Sequence, residues 1–314
     1  MPINDMLLSR AGMADSFSSP GIDLPSPTLS ARLRELGDFL AAPAVGRLTE
    51  EQRAMALGVA RRLVADVAAT LGQDIDIAAL WRDWLLAGVP SAERLAAACF
   101  ARAEEHRWRE HSAQRLAVAG PPAGRESEAE GAIPPAEGAS AADRAYLDLQ
   151  IAERRRYDAY GSPNLALADI DGELLRAVAL DIAAWRQMGA ARDDGLAAEL
   201  ADAVRAAVDR HDASRGIDRA ARAWYGELAA IDGVASAATA AIARHDWAAL
   251  VALMAAASRR SYADTALALL AAEAAALPFL LAPLGLDRAA LAPLEASLAM
   301  LPARAVAGGG AGHD

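Results

Sequence analysis

The chain has 314 residues, and its 31 basic and 42 acidic side chains give it a formal net charge of −11. Lysine is missing, so every basic side chain is an arginine, and alanine makes up roughly a quarter of the chain, far above ordinary usage. The negative charge argues against non-specific binding to nucleic acid or to anionic lipid. The single cysteine, Cys99, excludes an intramolecular disulfide framework and is typical of a reducing compartment.

The chain begins with residues 1–26, which we predict to form an N-terminal arm with one short helix. The apolar pair in this arm follows an aspartate and has no basic leader, so the segment does not resemble a secretory signal. The longest uncharged apolar run, residues 274–286, is too short to span a bilayer and contains two prolines. We therefore expect a cytoplasmic protein without a membrane span.

Apolar residues recur at helical spacing, whereas no stretch alternates convincingly between apolar and polar residues. Three stripes are Ile77, Leu80, Trp81, Trp84 and Leu85; Ile217, Ala221, Trp224, Leu228 and Ile231; and Trp247, Leu250, Val251 and Met254. Capping signals agree with them: the pairs Thr49/Gln52, Ser140/Asp143 and Ser261/Asp264 match the capping box, and Gly72, Gly88, Gly161 and Gly189 follow periodic segments. The sequence therefore predicts an all-α protein.

Two segments poor in large apolar side chains divide the chain. Residues 120–140 are rich in Pro, Gly and Glu, and we predict a flexible linker because they cannot bury enough apolar surface to offset the entropy of ordering. Residues 303–314 are predicted to be a disordered tail. The linker would join an N-terminal helical domain, 27–119, to a C-terminal array, 141–302. Short joints in this array favour stacked antiparallel helix pairs, in an irregular HEAT-like or bundle-like arrangement.

Three features invite a catalytic or metal-binding interpretation. Residues 104–111 hold two histidines and three glutamates, but His106 and His111 diverge around a helix, which favours a charged, solvated face over a metal site. The triplets 210–212 and 244–246 both read Arg-His-Asp, and helix capping by the aspartate explains them better than an oriented base does. Cys99 lies beside apolar residues and is predicted to be a buried thiol. We predict no catalytic residue, no cofactor and no metal ion.

The candidate partner-binding residues are Arg154, Arg155, Arg156, Tyr157, Tyr160 and Trp108. Arginines interleaved with aromatic residues can clamp phosphates and stack on bases. Acidic neighbours keep the local charge small, so an acidic protein partner fits equally well, and the arginines could also be the polar end of a helix. Trp108 lacks an obvious apolar face, which indicates either an exposed interaction residue or packing against the linker.

Two segments carry a family resemblance. One begins at Asp246 and reads DWAALVALMAAASRRSYADTALALLAAEAAALPFLLAPLGLDRAAL, and it resembles the end of domain-of-unknown-function family 2336. The other begins at Glu153, reads ERRRYDAYGSPNLALADIDGELLRAVALDIAAWR, and is similar to the stretch that precedes the second half of such proteins. The family comprises helical proteins of alphaproteobacteria. The resemblance covers the C-terminal half and implies a helical interaction protein, with no activity or catalytic residue to carry over.

Together these patterns predict a non-enzymatic helical scaffold or adaptor that mediates protein–protein interaction, a role that includes regulation. An enzyme with an unrecognised site in the C-terminal helical domain is the alternative, and a nucleic-acid-linked regulator comes third. An adaptor should show a groove or an exposed apolar patch rimmed by polar groups. An enzyme should show a deep pocket with convergent Asp, Arg and His side chains.

Overall fold

The computed structural model of the chain describes residues 27–41, 48–72, 74–119, 140–189, 194–213 and 216–304. Within these ranges the chain is all-α and has no β-strand, which confirms the predicted fold class. The thirteen α-helices of these ranges are α1 (Pro27–Ala41), α2 (Glu50–Thr70), α3 (Ile77–Ala87), α4 (Ala92–Ala119), α5 (Ala141–Arg154), α6 (Gly172–Gly189), α7 (Asp194–Asp209), α8 (Ile217–Ala229), α9 (Val234–Ala243), α10 (Trp247–Ser258), α11 (Tyr262–Ala271), α12 (Leu277–Leu281) and α13 (Ala292–Ala299).

Several helices begin at the predicted caps. The capping boxes Thr49/Gln52 and Ser140/Asp143 are both formed, with each side chain bonded to the backbone N–H of the other residue. Ser261 caps α11 by accepting from the N–H of Asp264, but the reciprocal bond of a capping box is not formed there. Two of the predicted C-terminal glycines differ from expectation, because Gly189 is still helical and Gly161 lies in a turn beyond α5.

A first hydrophobic core lies among α1 to α4 and continues into α6 and α7. Leu63 of α2, Leu95 of α4 and Ile182 of α6 are completely buried in it. Cys99 is also buried there, which confirms the predicted structural thiol, and burial raises its pKa to about 12.

A second core lies among α5 and α8 to α13, with α10 at its centre. The first nine residues of α10 are all buried, because this helix packs against α8, α9 and α11 on different sides. A helix that is apolar all round is typical of the inside of a bundle. The C-terminal helices therefore pack as a bundle around α10.

The two cores do not coincide with the predicted domains 27–119 and 141–302. The first core takes α6 and α7 from the predicted C-terminal array, and the long helix α4 contributes Cys99 to one core and Trp108 to the other. The predicted N-terminal arm and the linker up to residue 139 lie outside the described residues, as does the tail beyond residue 304. The first two residues of the predicted tail are packed: Arg304 donates to Ala272 O at 3.0 Å, and Ala303 O accepts from Gln52 at 3.4 Å.

No single helix of the described ranges has both the length and the apolar composition needed to cross a membrane. One pair of helical segments, Leu277–Leu284 and Arg288–Ala299, meets those criteria only when taken together, and it is bent by 113°.

Candidate protein-binding site

The charged middle of α4 is buried, so the prediction of a solvated helix face over residues 104–111 is wrong for its first half. Arg102, Glu104, Glu105 and Arg107 all lie inside the protein, and Glu105 is only 1% exposed. Buried charges are expected only where they are paired. The pairing partners come from other elements, which local sequence patterns do not show.

Glu105 is at the centre of this buried network. Its carboxylate accepts from Arg156 Nη1 and Nη2 at 3.0 and 2.7 Å and from the hydroxyl of Tyr262 at 2.8 Å. Arg102 Nη1 lies 3.4 Å from the same carboxylate, and Arg156 also donates to Glu153 at 3.1 Å. The network therefore joins α4, the end of α5 and the start of α11.

The arginines determine the ionisation of this network. Burial alone would raise the pKa of Glu105, but the guanidinium groups of Arg156, Arg102 and Arg109 outweigh it and lower the pKa to about 2. Burial would lower the pKa of Arg156, and the carboxylates of Glu105 and Glu153 instead hold this pKa well above its usual value. Both partners are therefore charged at neutral pH.

The segment after α5, residues 155–164, forms a turn that we call the tyrosine turn. Arg102 donates to both ends of it, from Nη2 to Arg156 O at 2.7 Å and from Nε to Asn164 O at 3.0 Å. The N–H of Asn164 closes the turn on Arg156 O at 2.8 Å. A guanidinium presents several donors in one plane, so a single buried arginine fixes the base of the turn.

The sides of the tyrosine turn are held as well. Arg62 of α2 donates from Nε to Pro163 O at 2.8 Å, and the side-chain amide of Asn164 donates to Asp66 of α2 at 2.9 Å. Tyr157 packs edge-on against His106, and the guanidinium of Arg102 lies 4.6 Å from the centre of its ring. The turn is therefore fixed to both α2 and α4 by side-chain contacts.

Tyr160 lies at the tip of this turn and is 94% exposed. Asp158 Oδ1 accepts from the backbone N–H of Tyr160 at 2.8 Å and from that of Ser162 at 2.9 Å. Gly161 has a φ of +79°, the left-handed conformation that glycine adopts most readily. The backbone beneath Tyr160 is thus ordered, while the ring faces solvent.

Two clefts flank the tyrosine turn and share His106 and Glu110 of α4. The first, of about 300 Å³, extends to Trp247 at the start of α10. The second, of about 390 Å³, lies between α2 and Tyr160, and we call it the Tyr160 cleft. Burial lowers the pKa of His106, so its imidazole is mainly neutral at pH 7.

The predicted partner-binding residues differ in their exposure to solvent. Arg154 and Arg155 are exposed at the end of α5, and Arg155 also lines a cleft of about 730 Å³ between α2, α6 and α7. Tyr160 is exposed and Tyr157 is partly buried, whereas Arg156 is buried and anchors the turn. Arg156 is therefore not part of a basic surface patch.

The sequence left two interpretations of Trp108 open, an exposed interaction residue or packing against the linker, and the structure excludes the first. This side chain is completely buried and stacks on Trp247 with ring centres 5.0 Å apart. Its indole N–H donates to Ser297 Oγ of α13 at 2.9 Å. The helix face that lacked apolar neighbours in the sequence is covered by α10 and α13, which follow more than a hundred residues later.

One arrangement near Trp247 resembles a nucleophile and its base. Ser112 Oγ lies 3.3 Å from His245 Nδ1, but it also accepts from Trp247 Nε1 at 2.7 Å and lies 3.3 Å from Ser297 Oγ. All three neighbours of this hydroxyl belong to the region where Trp108 stacks on Trp247, so the contacts hold that stack together. The geometry therefore supports a structural role for Ser112.

The two Arg-His-Asp triplets differ. Asp246 caps α10 as predicted, by accepting from the N–H of Ala249. Asp212 does not cap α8, which begins after Gly216, and it is Asp169 that accepts from the first N–H of that helix at 2.8 Å. Among the residues that the structure describes, no group of three or more His, Cys, Asp or Glu side chains is placed to hold a metal ion.

Arg62 and Arg102, which the sequence patterns did not single out, build this site together with Glu105, which lies in the segment 104–111 that was predicted to be solvated. Within their own helices these residues show only a charge on the inner face. The partners that they meet from other elements follow 51 to 157 residues later. Comparison with known proteins adds nothing further, since no family model, curated protein or solved structure matches the chain. The resemblance to family 2336 therefore stays a prediction.

Proposed function

We propose that the protein is a helical scaffold that binds a protein partner through the tyrosine turn. The observation that carries this proposal is Tyr160, a nearly fully exposed aromatic side chain on an ordered backbone. Tyrosine is enriched among the residues that dominate protein–protein interfaces. An ordered backbone also reduces the entropy lost on binding.

The energetic design of the turn supports this function. Burying charged side chains is unfavourable unless the pairing is good, and a packed apolar core is often at least as stable. Here buried Arg102 donates to both ends of one surface turn, and buried Arg156, at one of those ends, pairs with Glu105. The residue that this turn presents to solvent is Tyr160, and a cleft lies beside it. We place this interaction in the cytoplasm, on the grounds of the single buried cysteine.

Site-specific photo-crosslinking tests the proposal. A photoreactive phenylalanine analogue replaces Tyr160 in the full chain, and a second protein carries it at Leu86 of α3, which is 82% exposed. After irradiation in the native cell, we expect a discrete adduct from position 160 that position 86 does not give. Tyr160→Ala should weaken binding of the captured partner about tenfold, which corresponds to about 1.4 kcal/mol, while Leu86→Ala should leave it unchanged.

Equal adducts from both positions would contradict the proposal, because they would indicate chance encounters of exposed side chains. The proposal would also be contradicted if position 160 gave no adduct, or if the captured partner bound equally well to the protein without Tyr160.

A further inference from the structure

Arg62 presents an oriented guanidinium to the Tyr160 cleft. Its Nε donates to Pro163 O at 2.8 Å, which fixes the plane of the group. The terminal nitrogens Nη1 and Nη2 have no hydrogen-bond partner among the described residues, and the side chain lines the cleft together with Tyr160. Two terminal nitrogens in one plane match the two oxygens of a carboxylate.

Gly58 lies directly against this guanidinium. It lies one turn before Arg62 in the interior of α2, where glycine is less favourable than alanine by about 1 kcal/mol. A Cβ atom at position 58 would lie 3.4 Å from Arg62 Nη2, 3.5 Å from Nη1 and 3.8 Å from Cζ, which is ordinary van der Waals contact with the guanidinium. A side chain longer than a methyl group at this position would therefore displace the guanidinium or fill the cleft that both residues line.

The acidic groups around Arg62 leave its terminal nitrogens available. Asp158 approaches Nε only at 3.9 Å, and one of its oxygens is engaged by the N–H groups of the turn. Asp66 accepts from Asn164, and Glu110, on the far wall of the cleft, lies 3.4 Å from His106. Burial lowers the pKa of Arg62, as expected for a cation that has lost water without gaining a close counter-ion.

We propose that the Tyr160 cleft binds an acidic side chain of the partner protein, with Arg62 Nη1 and Nη2 donating to its carboxylate and Tyr160 packing against the adjoining residues. This inference rests on the proposed function and specifies the chemistry of the partner. The carboxylate would supply a closer counter-ion than Asp158, which lies 3.9 Å from Arg62 Nε. A protein carboxylate is preferred to a nucleic-acid phosphate because the chain carries a net charge of −11.

Selection from a displayed random peptide library tests this inference on the full-length protein. We expect peptides enriched in Asp or Glu beside an apolar residue, and the consensus peptide should bind about tenfold more tightly than its Glu→Gln or Asp→Asn counterpart. The selection should fail on Arg62→Gln, which removes the paired donors. It should also fail on Gly58→Leu, which fills the cleft without changing any charge.

The matched control is Arg61→Gln, because Arg61 is the exposed neighbour of Arg62 on α2 and lies outside the cleft. This variant should bind the consensus peptide like the unaltered protein, and circular dichroism verifies that all three variants are folded. Three outcomes would overturn the inference: selected peptides that lack acidic residues, equal binding of the consensus peptide by Arg62→Gln, or a library from which no peptide is enriched. Tighter binding of a phosphopeptide or of single-stranded RNA would overturn the choice of a carboxylate. The crosslinking at Tyr160 would stand in each of these cases, so the two proposals can fail separately.

Discussion

Glu105 joins three parts of the chain that are far apart in sequence. It pairs with Arg102 on its own helix, with Arg156 at the base of the tyrosine turn and with the hydroxyl of Tyr262 in α11. Removing this carboxylate would leave Arg102 and Arg156 buried with less negative charge to compensate them, although Arg156 would keep Glu153 and Asp169. The position of Arg156 at the base of the turn should therefore depend on this carboxylate.

We expect Glu105→Gln to lower the free energy of unfolding by about 3–5 kcal/mol at pH 7. The pKa of Glu105 is about 2 in the folded protein, below its value in the unfolded chain. Its stabilisation is therefore complete above the unfolded pKa and is lost as the pH falls through the folded one. The difference between the two proteins should narrow between about pH 4.5 and pH 2, as measured by urea unfolding at a series of pH values.

Glu110→Gln is the matched control, since Glu110 lies on the same helix but is half exposed and faces a neutral histidine. Its effect on unfolding should be within about 0.5 kcal/mol. A loss of stability as large as that of Glu105→Gln would mean that charge along α4, rather than the buried pairing, stabilises the fold.

At the scale of the helices, periodicity and capping could be predicted from the sequence, whereas the burial of charges could not. The stripe at Trp247 and the cap at Asp246 are local patterns, and α10 begins where they indicate. Trp108 and Glu105 are covered by elements from distant parts of the chain. The spacing of residues within α4 cannot predict that covering. Tyr160 was identified as a candidate, but Arg62, which points into its cleft, was not.

Gly226 inside α8 and Gly72, which follows the end of α2, allow a test of what decides the use of glycine at a helix. A Cβ atom at Gly226 would meet nothing within 4 Å, and the residue is exposed in the interior of α8. Gly226→Ala should therefore raise the free energy of unfolding by about 0.4–1 kcal/mol, because alanine loses less backbone entropy on folding. Chemical denaturation of the two proteins measures this difference.

Gly72→Ala is the counterpart, because Gly72 has a φ of +65°, where a side chain is strained. This change should lower the free energy of unfolding by about 1 kcal/mol. If both changes acted in the same direction, backbone conformation would not be what decides the use of glycine at these positions.

At the scale of the whole molecule, α4 makes the two cores interdependent. Its first half packs against α1 and α2, and Trp108 in its second half stacks on Trp247 of the bundle. Leu267 and Ala271 of α11, which otherwise lies in the second core, reach the first. Neither core can lose α4 and keep its packing.

We therefore expect one cooperative unfolding transition. Three tryptophans report on each core: Trp81, Trp84 and Trp185 on the first, and Trp108, Trp224 and Trp247 on the second. With fluorotryptophan incorporated, fluorine NMR follows all six in the unaltered chain. Their native resonances should disappear at the same urea concentration. Separate midpoints for these two groups would mean that the cores unfold independently. A midpoint shared by Trp81, Trp84 and Trp108 but not by the other three would instead support domains divided near residues 120–140.

The pairing of Arg102 with the ends of the tyrosine turn has a consequence for engineering. These two parts of the site are joined by side-chain bonds, and the peptide chain that connects α4 to α5 takes no part in those bonds. Lengthening or interrupting the chain between residues 119 and 140 would therefore leave the bonds from Arg102 to the turn in place. That position suits the insertion of a fluorescent reporter domain, or the division of the protein into two fragments that assemble when both are present.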